Sequence, residues 1–154
     1  MPDHIIMPVG NGSLLISTYL ALTQLLSTGE IKKLPKLHAI QSDTIKPIVQ
    51  ELHNIEWTFN PDQTTVADGI ASNNPPRMKQ ILQAIKGSKG DAVSVSEESI
   101  QRYRKILAQS EGIYMEPTSA ASFAGMETLV QNGTIDAQDS ALIPVTGSGL
   151  KSAA

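Results

Sequence analysis

Four short runs of apolar residues along the chain predict β-strands. They span residues 4–9, 37–41, 92–95 and 141–146. The apolar residues in these runs are nearly continuous, as in strands that are covered on both faces, instead of alternating with polar residues. The runs therefore favour a parallel sheet with helices packed on both sides.

Between these runs, apolar residues recur at the spacing of an α-helix. The predicted helices span residues 14–26, 44–52, 75–87, 96–112 and 119–131. Gly87 is a typical helix end, and Ser96 followed by Glu97 and Glu98 is a typical helix start. The alternation of strands and helices predicts an α/β fold, a three-layer αβα sandwich with a mostly parallel sheet.

The composition fits one folded domain with an aliphatic core. The chain has 154 residues, of which 40% are hydrophobic, 18% charged and only 4% aromatic. The net charge is -3 without a basic run, so we expect no nucleic-acid surface. No apolar stretch approaches the roughly 18 residues of a membrane span, and no signal peptide is visible, so we expect no membrane partner and a cytoplasmic protein.

Metal binding is not expected from the sequence. The chain has no cysteine, which excludes disulfides and thiolate ligands within it. His4, His38 and His53 do not share the spacing of a metal site, and we interpret them as core-edge or surface histidines.

The stretch of residues 56–74 is long, polar and only patchily periodic. Loops of this length within a compact domain are often functional. A surface excursion without a function is the alternative.

The first segment with chemical promise joins the first strand to the first helix. Gly10, Asn11, Gly12 and Ser13 form a turn in which glycine lets the backbone approach an anion at a helix N-terminus. A plain turn with Ser13 as the helix cap is the alternative. The turn lacks the Gly-Lys-Ser/Thr ending of a Walker A loop, and leucine at position 15 excludes the dinucleotide fingerprint.

Two later segments change this picture. Residues 112–122 read Gly-Ile-Tyr-Met-Glu-Pro-Thr-Ser-Ala-Ala-Ser, and residues 144–151 read Pro-Val-Thr-Gly-Ser-Gly-Leu-Lys. Together with the glycine turn, and with residues 66–71 and 74–77, they resemble the fold-type II pyridoxal-phosphate enzymes, most closely those of the threonine synthase type. The resemblance covers essentially the whole chain.

The resemblance implies a cofactor, pyridoxal 5′-phosphate, and part of its site. Gly10, Asn11, Gly12 and Ser13 would hold the cofactor phosphate, mainly through backbone N–H groups. This agrees with the anion site that the residues of the turn suggest on their own.

Further positions follow from the same resemblance. Thr146 would form a hydrogen bond with the pyridine nitrogen, and Gly69 with its small neighbours would pack near the cofactor ring. Glu116 and Ser119 lie in a segment that lines the site in the family, without an assigned role. For Glu116, an acidic residue at a helix start favoured by the helix dipole is an equal alternative.

The largest departure from the family concerns its Schiff-base lysine. The family carries this residue on an N-terminal segment, and none of the lysines in this chain has the corresponding context. Lys151 belongs to the C-terminal motif, and the other lysines are interpreted as solvated on helix faces or turns. We therefore expect residues 1–154 to be the C-terminal portion of the large cofactor-binding domain in a tryptophan synthase β-like fold, without the N-terminal half and without a catalytic residue of their own.

Three functions remain open at this stage. The first is a portion of an enzyme that converts O-phospho-L-homoserine and water to threonine and phosphate. The alternatives are a portion of a threonine or serine dehydratase, or a truncated domain without catalysis. The resemblance implies a small amino-acid substrate, and the broad apolar stripe of residues 14–26 predicts self-association into a homo-oligomer.

Overall fold

The computed structural model describes residues 1–56, 58, 60 and 62–152. Residues 57, 59 and 61 of the predicted loop, and residues 153 and 154 of the predicted domain, lie outside this description. Four strands form one sheet: β1 (His4–Pro8), β2 (Lys36–Ser42), β3 (Ala92–Val95) and β4 (Ala141–Leu142).

The sheet has the order β3-β2-β1-β4, and every pairing in it is parallel. All of β1 is buried, and only the first residue of β2 is partly exposed. These findings confirm the prediction of a parallel sheet covered on both faces. The bounds of β1, β2 and β3 agree with the predicted runs to within one residue.

The prediction for β4 is wrong beyond residue 142. Pro144 has no N–H group to offer a neighbouring strand. Two residues later, the backbone N–H of Thr146 donates to the Ser119 hydroxyl at 3.0 Å instead of to a strand. The chain therefore leaves the sheet early and turns toward a helix.

Five α-helices accompany the sheet: α1 (Ser13–Ser27), α2 (Pro47–His53), α3 (Met78–Gly87), α4 (Glu97–Ser110) and α5 (Pro117–Gln131). Three predicted starts are wrong by two or three residues. The helix predicted from residue 44 begins at Pro47, because Thr44 bonds instead to Ser42 and to the Thr64 carbonyl. The helix predicted from Pro75 begins at Met78, and that predicted from Ser119 begins at Pro117.

The helices form two layers, one on each face of the sheet. Leu15, Ile48 and Ile81 bring α1, α2 and α3 into one hydrophobic core. Ile100 and Ala120 bring α4 and α5 into the core on the opposite face. This arrangement confirms the predicted three-layer αβα sandwich.

Parallel strands place their carboxyl ends, and the loops that follow them, along one edge of the sheet. The turn after β1 and the segment after β4 therefore emerge side by side. A short 3-10 turn, Asp68–Ile70, lies against the turn after β1. None of the helices in the described part of the chain has the length and apolarity needed to cross a membrane.

Candidate cofactor-binding site

The turn between β1 and α1 is built on two glycines that no other residue could replace without movement. Gly12 has a φ of +81°, and a Cβ atom there would lie 2.4 Å from the side chain of Ile81. A Cβ atom on Gly10 would lie 3.0 Å from the carbonyl oxygen of Gly69. The backbone therefore approaches both neighbours more closely than a side chain would allow.

The N-terminus of α1 faces a cavity of about 220 Å³, lined by residues 10–15 together with Pro8 and Gly69. The first N–H groups of a helix have no partner within the helix. Gly12 is the N-cap of α1 and accordingly makes no side-chain cap hydrogen bond, so the alternative of Ser13 as the cap is wrong. The helix dipole and these N–H groups favour an anion in this cavity.

Two residues from the segment before α3 complete the rim of this turn. Ser72 donates a hydrogen bond to Asn11 Oδ1 at 2.8 Å, and the guanidinium of Arg77 donates to the Ser13 hydroxyl. The side chains of Asn11 and Ser13 are therefore already oriented by neighbours. Sequence reasoning did not assign Arg77 a role, although a basic residue inside an otherwise uncharged motif was the available signal.

Gly69 connects the turn to the start of α5. Its N–H group donates to the Thr118 hydroxyl at 3.1 Å, and a Cβ atom on it would lie 2.9 Å from that oxygen. Because Gly69 also contacts Gly10, three predicted segments meet here. Thr118, which is buried, was not identified from the sequence.

Thr146 lies beside Ser119, the residue that follows Thr118 in α5. Its hydroxyl is 2.9 Å from the hydroxyl of Ser119, which is fully buried. Glu116 is held against the same turn, since its N–H donates to the Gly147 carbonyl at 3.0 Å. A Cβ atom on Gly147 would lie 2.0 Å from the Glu116 carboxyl group, so a larger residue there would displace the Glu116 side chain.

A partly buried hydrogen-bond network holds residues 65 and 66 in place. The Glu97 carboxylate, at the start of α4, accepts from the Ser42 and Thr65 hydroxyls at 2.6 and 2.7 Å and from the Val66 N–H at 2.7 Å. Burial alone would raise the pKa of Glu97, but these hydrogen bonds outweigh it and hold the pKa below its ordinary value. Glu97 thereby fixes the chain immediately before Gly69.

The lysines are distributed around the fold, and no lysine is among the described residues that line the cavity at the glycine turn. Lys33 pairs with Asp3 at 2.6 Å, and Lys46 pairs with Asp43 at 3.4 Å. Lys36 lies in β2, so its assignment to a helix face or turn was wrong. Lys151 lines a cavity of about 360 Å³ together with Asp68 and Glu116, at the Glu116 end of the candidate site.

Two histidines form a feature that the sequence did not reveal. His4 Nδ1 lies 2.8 Å from His38 Nε2, and His4 Nε2 lies 3.0 Å from an oxygen of Asp139. Burial, and then the proximity of His4 and Lys36, lower the pKa of His38 to about 4. His4 and His38 are fully buried and His53 is partly exposed, which agrees with core-edge and surface histidines.

The fold, together with a glycine-rich turn at the carboxyl edge of a parallel sheet, defines a class of cofactor-binding protein, and comparison with known families identifies it. The model of the family described as "Pyridoxal-phosphate dependent enzyme" matches residues 1–147. The chain therefore belongs to this family, whose cofactor is pyridoxal phosphate.

Among curated proteins, the chain is similar to threonine synthases. It is 37% identical to the threonine synthase of Methanocaldococcus jannaschii over 153 residues, which cover 98% of this chain and 38% of the relative. It is 31% identical to the threonine synthase of Mycobacterium tuberculosis over 150 residues, which cover 97% of this chain and 40% of the relative. The chain thus spans about two fifths of the length of these relatives.

Solved structures confirm the fold. A threonine deaminase from T.th. superposes with a TM-score of 0.71 at 21% identity, over 96% of this chain and 50% of that chain. A maize serine racemase gives a TM-score of 0.71 at 17% identity, over 96% and 43%. At these identities the likeness shows a shared fold, and the reaction has to be inferred from the site.

The site geometry is compatible with pyridoxal phosphate. The turn at residues 10–13 offers an anion a close backbone approach at a helix N-terminus, and Thr146 lies exposed with its hydroxyl fixed by Ser119. Gly69 joins these two parts through α5. The fold therefore links the positions that the sequence predicted for the cofactor: Gly10 contacts Gly69, and Gly69 and Thr146 both bond to the first turn of α5.

Proposed function

We propose that residues 1–154 are the C-terminal portion of the large cofactor-binding domain in an enzyme of the threonine synthase type. The reaction would convert O-phospho-L-homoserine and water to L-threonine and phosphate. The observation that carries this proposal is that Gly10 contacts Gly69 and that Gly69 and Thr146 both bond to the first turn of α5. The similarity to threonine synthases over nearly the whole chain supports the choice of reaction.

In this proposal, the first N–H groups of α1 and the turn before it bind the cofactor phosphate. Glycine at positions 10 and 12 keeps the backbone close to the anion, and Asn11 and Ser13 define the rim. The binding energy would come from backbone donors that are held in place before the cofactor arrives, which limits the entropy lost on binding. Arg77 would add a positive charge beside Ser13.

Thr146 would face the pyridine nitrogen of the cofactor. A hydroxyl donates a hydrogen bond to an unprotonated nitrogen, whereas a carboxylate at that place would favour protonation. When bound, pyridoxal phosphate supplies the electron-withdrawing ring that stabilises negative charge on substrate carbon atoms. Gly69 would pack near the ring, and its lack of a Cβ atom leaves room for the Thr118 side chain that holds its backbone.

The lysine that forms the covalent link in the family would come from a segment outside residues 1–154. Lys33 and Lys46 are paired with carboxylates, and Lys151 lies beside Asp68 and Glu116. The chain would thus bind the cofactor phosphate without performing the chemistry alone. This interpretation differs from a truncated, non-functional domain because it requires specific cofactor binding.

Two assays test the proposal. The polypeptide that joins this chain to the N-terminal segment should release phosphate from O-phospho-L-homoserine; formation of oxobutyrate from free threonine instead would show a dehydratase. The chain alone, mixed with pyridoxal phosphate, should bind it without a lysine becoming trapped by borohydride. A single trapped lysine would show that the chain carries the reactive residue, and Lys151 would be the first position to examine.

We further propose that the protein acts on a small amino-acid substrate in the cytoplasm as a homo-oligomer. α1 buries Leu15, Ile16 and Leu22 against the sheet but leaves Leu14 and Leu20 exposed, at 42% and 61%. Exposed leucines on α1 favour contact with another copy of the chain. Light scattering should show an oligomer that Leu20→Glu weakens; a monomer at all concentrations would contradict this part.

A further inference from the structure

Ser119 has three hydrogen-bond partners, which is the full capacity of a single hydroxyl. Its oxygen accepts from the backbone N–H of Thr146 and from that of Gly147, each at 3.0 Å, and it lies 2.9 Å from the Thr146 hydroxyl. Ser119 is fully buried on α5, so water does not compete for these bonds. All three contacts join Ser119 to residues 146 and 147, the segment that carries the proposed contact to the pyridine nitrogen.

The direction of each bond follows from counting. A hydroxyl has one proton to donate and two lone pairs to accept with. The two backbone N–H groups can only donate, so they occupy both lone pairs of Ser119. The remaining contact, to Thr146, must therefore use the proton of Ser119.

This assignment determines where the hydroxyl proton of Thr146 points. Because its oxygen accepts from Ser119, its own proton points elsewhere. The Glu116 carboxylate lies 3.5 Å away, which is too long for a strong hydrogen bond, so the proton is only weakly engaged within the described structure.

We infer that Ser119 is a positioning residue that makes Thr146 a hydrogen-bond donor toward the cofactor ring. This inference rests on the proposed function, in which Thr146 faces the pyridine nitrogen. Ser119 fixes both the backbone of residues 146–147 and the polarity of the Thr146 hydroxyl. The arrangement selects an unprotonated nitrogen, which accepts a hydrogen bond, over a protonated nitrogen, which does not.

The chain contains a matched control. Ser122 lies on the same helix and is also fully buried, but its hydroxyl oxygen has no hydrogen-bond partner among the described residues. Ser119→Ala and Ser122→Ala therefore remove the same atom from the same helix, and only the first removes the contacts to Thr146 and Gly147. General loosening of α5 would affect both variants equally.

The first measurement needs no cofactor. Hydrogen exchange of the Thr146 and Gly147 amides should become about tenfold faster in Ser119→Ala and stay unchanged in Ser122→Ala, because only the former loses the acceptor. Unchanged exchange in Ser119→Ala would overturn the inference. Comparable acceleration in Ser122→Ala would do the same.

The second measurement uses pyridoxal phosphate labelled with nitrogen-15 in the ring. In Thr146→Val the ring nitrogen signal should move downfield as its hydrogen bond is lost, and Ser119→Ala should move it in the same direction. The Kd should rise about three- to tenfold in each variant, as for one lost hydrogen bond. The double variant should bind no more weakly than Thr146→Val, since Ser119 acts through Thr146.

The outcomes separate the two proposals. If pyridoxal phosphate did not bind to the unsubstituted chain, or if Thr146→Val did not move the ring signal, the proposed cofactor geometry would be overturned and the inference with it. A signal that responds to Thr146→Val but not to Ser119→Ala would overturn the inference alone. Additive losses in the double variant would also overturn it, because they would mean that Ser119 acts independently.

Discussion

The polar groups at the two ends of strand β1 differ in their exposure and in their hydrogen bonding. At its carboxyl end, the chain continues into Gly10 and Gly12, where N–H groups of the helix start face an open cavity. At its amino end, the His4 side chain is fully buried and bonded to two other side chains, His38 and Asp139. The carboxyl end of β1, called the open end below, thus leaves N–H groups facing a cavity. At the amino end, called the closed end, the polar side chains bond to one another.

The closed end has a single consistent arrangement of protons. The backbone N–H of Asp91 donates to His38 Nδ1 at 3.1 Å, so the proton of neutral His38 must lie on Nε2. It then donates to His4 Nδ1, and His4 Nε2 in turn donates to Asp139. Each polar atom is satisfied by another, whereas at the open end the backbone donors remain for an anion. The paired side chains at the closed end stabilise the fold, whereas the donors at the open end are proposed to bind an anion.

The largest effect should come from closing the open end. Gly12→Ala places a Cβ against Ile81 in a left-handed backbone, so we expect a loss of about 2–5 kcal/mol in the free energy of unfolding and loss of phosphate binding. Gly29 has a similar φ of +79° with nothing within 4 Å, so Gly29→Ala carries only the backbone strain. Urea unfolding should separate the two variants; equal losses would contradict the steric explanation.

Opening the closed end should cost slightly less. His38→Ala leaves His4 Nδ1 and the Asp91 N–H without partners and creates a cavity, and we expect a loss of about 2–4 kcal/mol. His53→Ala is the control, because its side chain is 42% exposed and should contribute less than about 1 kcal/mol. If urea unfolding gave the same midpoint for both variants, the paired histidines would not be a stabilising feature.

Acid should also open the closed end, by a defined route. An unfolded histidine binds a proton near pH 6.5, whereas folded His38 does so only near pH 4. Between these values the unfolded state binds more protons, so stability falls as the pH falls, by about 3 kcal/mol in total. The lowered pKa of Asp139 acts in the same direction only at lower pH, where its carboxylate protonates.

Unfolding measured at pH 7, 5.5 and 4.5 tests this dependence. The unsubstituted chain and His53→Ala should lose stability steadily as the pH falls across this window. His38→Ala should show a flatter dependence of the free energy of unfolding on pH. A His38→Ala profile as steep as that of the parent would assign the acid sensitivity to other groups.

The smallest effect concerns the charge beside the open end. Arg77→Gln should raise the Kd for inorganic phosphate about three- to tenfold, because one charge-assisted donor near Ser13 is lost. Lys79→Gln removes an exposed charge close by in the sequence, on α3 and away from the turn, and should leave the Kd within about twofold. Titration calorimetry distinguishes them, and equal changes would indicate a general charge effect.

The sequence predicted those parts of the molecule that depend on local pattern. The runs that became β1, β2 and β3 were recognisable because both faces of these strands are buried, and the turn at Gly10 and Gly12 was recognisable because glycine permits its backbone. The start of α2 was missed because Thr44 bonds to Thr64, a distant residue in the chain. The early end of β4 was missed for the same kind of reason, since Ser119 captures Thr146.

The candidate site divides in the same manner. Gly10, Asn11, Gly12, Ser13, Gly69 and Thr146 were named from motifs, and their roles in cofactor binding stay predictions. The structure adds the partners that orient them. Arg77 reaches Ser13 and Ser119 reaches Thr146 only through tertiary packing, which a pattern along the chain does not encode. The bond between His4 and His38 likewise depends on the register of β1 against β2.

The position of β1 inside the sheet has a consequence for synthesis of the protein. One edge of β1 pairs with β2, which follows soon in the chain, but the other pairs with β4, and Asp3 bonds to Ser140, 137 residues later. Until residues 140–142 have left the ribosome, that edge presents unpaired backbone groups of a largely apolar strand. An unpaired strand edge is a site for pairing with strands of other chains, so we expect chains that end before residue 140 to aggregate more readily than residues 1–154.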